Sequence, residues 1–250
     1  MENKVQINLN IKPTKALGTK LVTSLFDYLL HLRSQIPFQF KLFVKFVNAK
    51  SKLNVKENEE NLRKDWKTEK QLKLARETCD KIFAIKKVIE EEFSTGSPMM
   101  ILFGSTIHTA KESYLINFPK VNDDLLPTYV NETSEVKKIL LKIIQNDDLR
   151  LCDKTSLGLT NIFVLFRKVA DYEISSDFIE LPNFKVSKSC NTFSLNFRDS
   201  TDFDIFDEEF QELTLSEVTA INDSQEVWYQ SKTFVKGFKD ILVHSKSIWT

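Results

Sequence analysis

The last apolar stretch of the chain, Val227 to Phe238, constrains the fold most. It runs Val-Trp-Tyr-Gln-Ser-Lys-Thr-Phe-Val-Lys-Gly-Phe and carries four aromatics close to a terminus, where chains are normally polar and frayed. Trp228 and Tyr229 are adjacent, Phe234 is followed by Val235, and Gly237 interrupts the run before Phe238. The pattern reads as an extended strand with a kink at its end. Each aromatic left in water would forfeit about 1.5–3 kcal/mol, so the preceding chain must supply a groove or sheet edge that this strand closes.

The preceding chain supplies alternating strands and periodic helices. Val5, Ile7, Leu9 and Ile11 alternate with polar residues at period 2, which predicts a half-buried strand starting at residue 4. Leu17, Leu21, Leu25, Tyr28, Leu29 and Leu32 recur at helical spacing and stop before Pro37. Phe38 to Phe46 is apolar on both sides, and periodicity leaves helix or strand open there. Residues 48–65 are rich in Lys, Glu and Asn, which predicts a flexible loop.

From Trp66 onward Leu72, Ala75, Cys79, Ile82, Lys86, Ile89 and Phe93 mark the longest helix, flanked by Phe83 and Ile85 and ended by Gly96-Ser97-Pro98. Met99 to Phe103 is wholly apolar, as a central strand covered on both faces must be. Tyr114, Ile116 and Phe118 alternate as a second strand of a hairpin.

Residues 132–146 form a helix whose wheel is too apolar for one buried face. Val136, Ile139, Leu140 and Ile143 make the core stripe, while Leu141 and Ile144 widen the arc around Lys137. That width indicates either deeper burial or a second contact. Further strands are expected at Leu159–Val169, at Phe193–Phe197 and, as a brief edge, at Phe184–Val186. Between Arg198 and Lys232 there is no basic residue, and ten acids accumulate from Asp199 to Glu226 around Phe203, Phe206, Phe210 and Leu213. That run reads as an acidic loop, or as an amphipathic segment that folds on a partner.

Several functions are made improbable by composition and motif. Thirty-five basic residues balance thirty-five acidic ones, so no global field draws nucleic acid or an anionic membrane. The five glycines stand apart, which removes a P-loop or dinucleotide fingerprint. His31, His108 and His244 lack a second ligand type at helical spacing, and His31 belongs on the rim of the first helix. Cys79, Cys152 and Cys190 are odd in number and widely spaced, as expected of reduced core thiols in an intracellular protein. The longest apolar runs fall short of the roughly 20 residues of a membrane span, so a soluble cytosolic or nuclear protein is expected. No cofactor, metal or catalytic constellation is indicated by the sequence, and an enzyme of unrecognised type would need a pocket with convergent titratable groups.

Four local runs carry a family resemblance. They are Leu29 to Pro37; Ile101 to Phe118 around Leu102-Phe103-Gly104 and Lys111-Glu112-Ser113-Tyr114; Lys137 to Leu149; and Val227 to Lys239 with Phe234-Val235-Lys236-Gly237-Phe238-Lys239. In this order they resemble the Comet family over roughly residues 17 to 240. The resemblance implies an α+β, HORMA-like single domain over 1–250. In it a mainly antiparallel sheet carries about three helices on one face, and a C-terminal strand closes the groove.

The resemblance further implies a non-enzymatic adaptor of the nucleus and cytoplasm, found at spindle or kinetochores in mitosis. Such a protein binds the closed form of the checkpoint protein Mad-two, alone or within the mitotic checkpoint complex. It presents that partner to a hexameric AAA+ remodelling ATPase, silencing the spindle checkpoint. Matched by position, Arg33, Gln35 and Pro37 fall at the end of the first helix, and Lys137, Lys138, Leu140 and Ile143 on the partner-facing helix, with Leu141 and Ile144 beside them. Trp228, Tyr229, Phe234, Lys236, Gly237 and Phe238 fall in the groove-closing strand. The sequence departs from the family at Leu32, often a glutamine there, at Leu140, often an aromatic, and in the length of the acidic run. The alternative is a clamp that opens its C-terminal belt around a partner's linear motif.

Overall fold

The computed structural model describes residues 2–9, 12–59, 66–121, 132–146, 149, 156–169, 176–199, 226–242 and 247–249, with the side chains of 2, 53–59 and 199 outside the description. The acidic run lies almost wholly outside the described residues, as do 60–65 of the expected loop.

The strand expected at the N-terminus is β1 (Glu2–Leu9), and its period-2 pattern is realised as buried Val5, Ile7 and Leu9. Helix α1 (Lys15–Leu32) begins at Thr14, whose hydroxyl accepts from the Leu17 amide at 3.0 Å and satisfies one orphan N–H. Its stripe of Leu17, Leu21, Leu25 and Leu29 is fully buried.

Residues 40–59 form a second helix, α2 (Phe40–Glu59). The apolar ambiguity therefore resolves to helix from Phe40 to Phe46, with Phe38 in the bend before it, and the flexible loop expected from residue 48 is corrected to helix as far as 59. Phe40, Phe43 and Val47 anchor the segment in the core. Beyond them Lys, Glu and Ala are good helix formers, and Asn48, Ala49 and Lys52 are exposed, so low hydrophobicity there marks a helix face open to solvent and not a loop.

Helix α3 (Trp66–Glu92) buries Leu72, Ala75, Cys79, Ile82, Ile85 and Ile89. Its flank at Phe83 meets the Phe40 ring of α2, 5.0 Å between centroids. Strands β2 (Met99–Gly104) and β3 (Ala110–Asn117) make the expected hairpin. Helix α4 (Glu132–Gln145), β4 (Asn161–Val169), β5 (Phe178–Leu181), β6 (Asn191–Asp199), β7 (Glu226–Ser231) and β8 (Val235–Lys236) complete the order. The edge strand is thus β5; the expected strand at Phe184–Val186 is not formed, and those two side chains pack on the sheet as loop residues.

The fold is α+β, with four helices of more than one turn among the described residues where about three were expected. The sheet order is β1-β6-β3-β2-β4-β7-β5, with β8 also on β4. It is mixed: β6 runs parallel to both β1 and β3, and every other pairing is antiparallel. Central β2 is buried on both faces, as its unbroken apolar run requires. Met99, Ile101 and Phe103 face the helix-covered core. Met100 and Leu102 face a smaller core closed by Ile107, Cys190, Phe184, Val186, Trp228 and Phe234, to which no helix among the described residues contributes an apolar side chain, although Lys81 of α3 reaches over the Phe234 ring. Among the described residues no helix is long and apolar enough to cross a membrane.

Candidate partner-binding surface

The C-terminal segment lies along β4 as two strands with a break between them. Val227 to Gln230 pair with Leu165 to Lys168, and Val235 and Lys236 pair with Ile162 and Asn161. Trp228 packs on the loop-covered face, 6.4 Å from Phe184, and Phe234 lies 5.4 Å from Phe163 on that face. Tyr229, Gly237 and Phe238 are buried, while Lys236 points to solvent. The strand expected to close the sheet does so only in part, because β5 pairs outside β7 and forms the actual edge.

The end of this segment is fixed at Gln35 and Thr160. Gln35 is fully buried. Its Nε2 donates to the carbonyls of Arg33 (2.7 Å) and Gly158 (2.8 Å), and its Oε1 accepts from the Thr160 amide (2.9 Å) and hydroxyl (3.1 Å). Its main chain continues the link. The Gln35 carbonyl accepts from the Phe238 amide at 2.7 Å, and the Thr160 carbonyl accepts from the Gly237 amide at 2.9 Å. The Gln35 side chain thereby ties the end of α1 to the start of β4, with each of its polar atoms satisfied as burial demands, and the carbonyls of Gln35 and Thr160 hold the C-terminal segment.

Arg33 is buried beside it. Its guanidinium donates to Glu112 Oε2 at 2.8 Å, with both side chains almost wholly removed from water, and the Tyr114 hydroxyl donates to Glu112 Oε1. Burial holds the Glu112 carboxyl above the usual carboxylate range, although Tyr114 and Arg33 pull it down. Arg33 and Gln35, expected on a partner-facing corner, are therefore interior residues in this conformation. Pro37 alone of the three is half-exposed. It lines a groove of about 810 Å³ with Leu32, Ser34, Leu157 and Asp240.

Helix α4 divides along the line its wheel suggests. Val136, Ile139 and Ile143 are buried, and Leu140 is half-buried against the core. Leu141 is 54% exposed and Ile144 38% exposed, and Lys137 and Lys138 are exposed beside them. Lys138 holds Glu135 at 2.6 Å. The over-wide arc is thus two adjoining surfaces, one packed on α1 and β1 and one open.

The sequence reading missed the anchor that lies beyond Phe238. Trp249 is buried among Phe38, Phe43, Phe46 and Phe238, with ring centroids 5.8–6.5 Å from its own. An apolar Ile248-Trp249 pair so near the terminus carries the same signal as Val227 to Phe238. No protein-family model and no curated protein matches the chain.

Proposed function

We propose that the protein is a non-enzymatic adaptor with a HORMA-like domain similar to Comet. It docks the open face of α4 on the closed form of Mad-two and offers that complex to a hexameric AAA+ ATPase, which silences the spindle checkpoint. The observation that carries this reading is the pair Leu141 and Ile144, two large apolar side chains held in solvent on a helix whose other face already fills the core. A large apolar side chain in water next to flanking lysines is what a protein contact would cover.

The latch at Gln35 supports a fixed adaptor over a clamp with a mobile belt. Opening the segment would leave the carbonyls of Gln35 and Thr160 without the Phe238 and Gly237 amides and would expose Phe238 and Trp249, each at a cost in free energy. The test is a pair of charges on α4. Leu141→Asp and Ile144→Asp should abolish capture of purified closed Mad-two while the thermal midpoint stays within the scatter of surface substitutions, about 0.5 kcal/mol. Undiminished binding by both variants would sink the reading. Leu140→Asp is the wrong probe, since Leu140 touches the core and the variant would fail by unfolding.

A further inference from the structure

We infer that the α2–α3 hairpin is a second docking surface, which takes an acidic linear segment of a partner protein that also carries apolar side chains. It lies on different helices from the α4 face and does not depend on that reading.

The two helices pack side by side in opposite directions. The Phe40–Phe83 ring contact sits at one end, and Arg76 Nε donates to Ser51 Oγ at 2.7 Å further along. On α2, Lys41, Lys45 and Lys52 follow at helical spacing on the side opposite buried Phe40, Phe43 and Val47, and all three are exposed. On α3, Trp66, Lys70 and Lys73 do the same opposite Leu72, Ala75 and Cys79. Residues 40–52 and 66–80 together hold eight basic residues against three acids, Glu69, Glu77 and Asp80. In a chain whose charges cancel overall, this is a local excess of positive charge.

The chemistry of the exposed apolar groups selects the occupant. Trp66 is 64% exposed, with Lys70 Nζ 5.9 Å from its ring centroid, and Leu42 (45%) and Leu74 (41%) flank the lysines. A row of phosphates would pair with the lysines and leave these side chains in water. The cations are nearly all lysine, which acts as a point charge and lacks the bidentate fork that reads phosphate or bases. Carboxylates on a flexible segment neutralise the lysines, and aromatic or aliphatic neighbours on the same segment cover Trp66, Leu42 and Leu74.

Fluorescence anisotropy with the full chain tests this. The probe is a labelled synthetic peptide of glutamate and aspartate interspersed with phenylalanine; duplex DNA and phosphatidylserine vesicles are titrated in parallel. The peptide should bind, and weaken roughly tenfold when salt rises from about 0.05 to about 0.3 M, as screened surface charges require. The triple variant Lys45→Glu/Lys70→Glu/Lys73→Glu should lose at least about tenfold in affinity and acquire affinity for the lysine counterpart of the peptide. The corresponding Gln variant should fall between, and unchanged circular dichroism would show that folding is intact. Failure of the peptide to bind overturns the inference, as does tighter binding of DNA or vesicles, or indifference of the Glu variant.

Discussion

Gln35 Oε1 stands 2.6 Å from the point where a β-carbon on Gly237 would lie. Glycine is required at 237 by crowding, since the same point is 3.0 Å from Leu159 Cδ2 and 3.2 Å from the Thr160 carbonyl. The kink read from the sequence is thus a close approach of two backbones around one amide. Gly237→Ala should destabilise the protein by about 1–3 kcal/mol, the usual cost of overpacking. Because Gln35 is the nearest neighbour, the cost should not add to that of Gln35→Ala. Chemical denaturation of the two single variants and the double should give a coupling of at least about 0.5 kcal/mol; strict additivity would show that the two residues do not meet.

Arg33 gives a second outcome, opposite to the one expected of a partner contact. Removing either member of a buried ion pair leaves the other charge uncompensated, at about 3–5 kcal/mol. Arg33→Met and Glu112→Gln should therefore each lower the denaturation midpoint markedly, whereas Arg33→Met/Glu112→Leu should recover much of the loss. A rim arginine would behave otherwise, with binding impaired and stability untouched.

The fold was legible where one periodicity dominates. Val5 to Leu9, the stripe of α1, the doubly apolar β2 and the long α3 all followed from spacing, because burial on one or two faces leaves a repeat that nothing else mimics. Residues 48–59 were misread since a solvated helix and a disordered loop share a composition, and only the anchors Phe40, Phe43 and Val47 separate them. Strand β5 has four residues with two exposed, too short for alternation to register. The exposed apolar face of α4 was legible, because its apolar arc exceeded one face. The placement of Arg33 and Gln35 was not legible, because whether a polar residue at a helix end faces water or the interior depends on Glu112, Gly158 and Thr160, all distant in sequence.

The cysteines follow from burial. Burial, and then Asp80, push the Cys79 thiol up to about 12, and burial also raises Cys190. Both are free and buried. At pH 8 a thiol with that constant is ionised in roughly one molecule in ten thousand. Neither should be alkylated by iodoacetamide in the native state, and both should react once urea unfolds the chain. The linkage has a definite sign. A raised constant contributes stability that is complete below the unfolded thiol value near 9 and is lost as pH rises through about 12. Replacing Cys79 by Ala should flatten the alkaline limb of the stability profile. Rapid native-state labelling of Cys79 would contradict its placement in α3.

Trp249 separates packing from hydrogen bonding at the C-terminal anchor. Its ring is held by four phenylalanines, but its Nε1 is buried without a partner among the described residues. An unmade hydrogen bond of this kind costs about 1–3 kcal/mol, which offsets part of the gain from burying the ring. Trp249→Phe removes the orphan donor and leaves a smaller ring in the cage, so its stability should lie close to that of the parent. Trp249→Ala removes the ring altogether and should cost about 3–5 kcal/mol. The contrast matters for the latch, because Phe238 touches both Trp249 and Phe43 while its amide donates to Gln35. If the cage and the amide form one unit, hydrogen exchange at the Phe238 and Gly237 amides should quicken in Trp249→Ala and stay slow in Trp249→Phe. Unchanged protection in Trp249→Ala would place the anchor outside the latch.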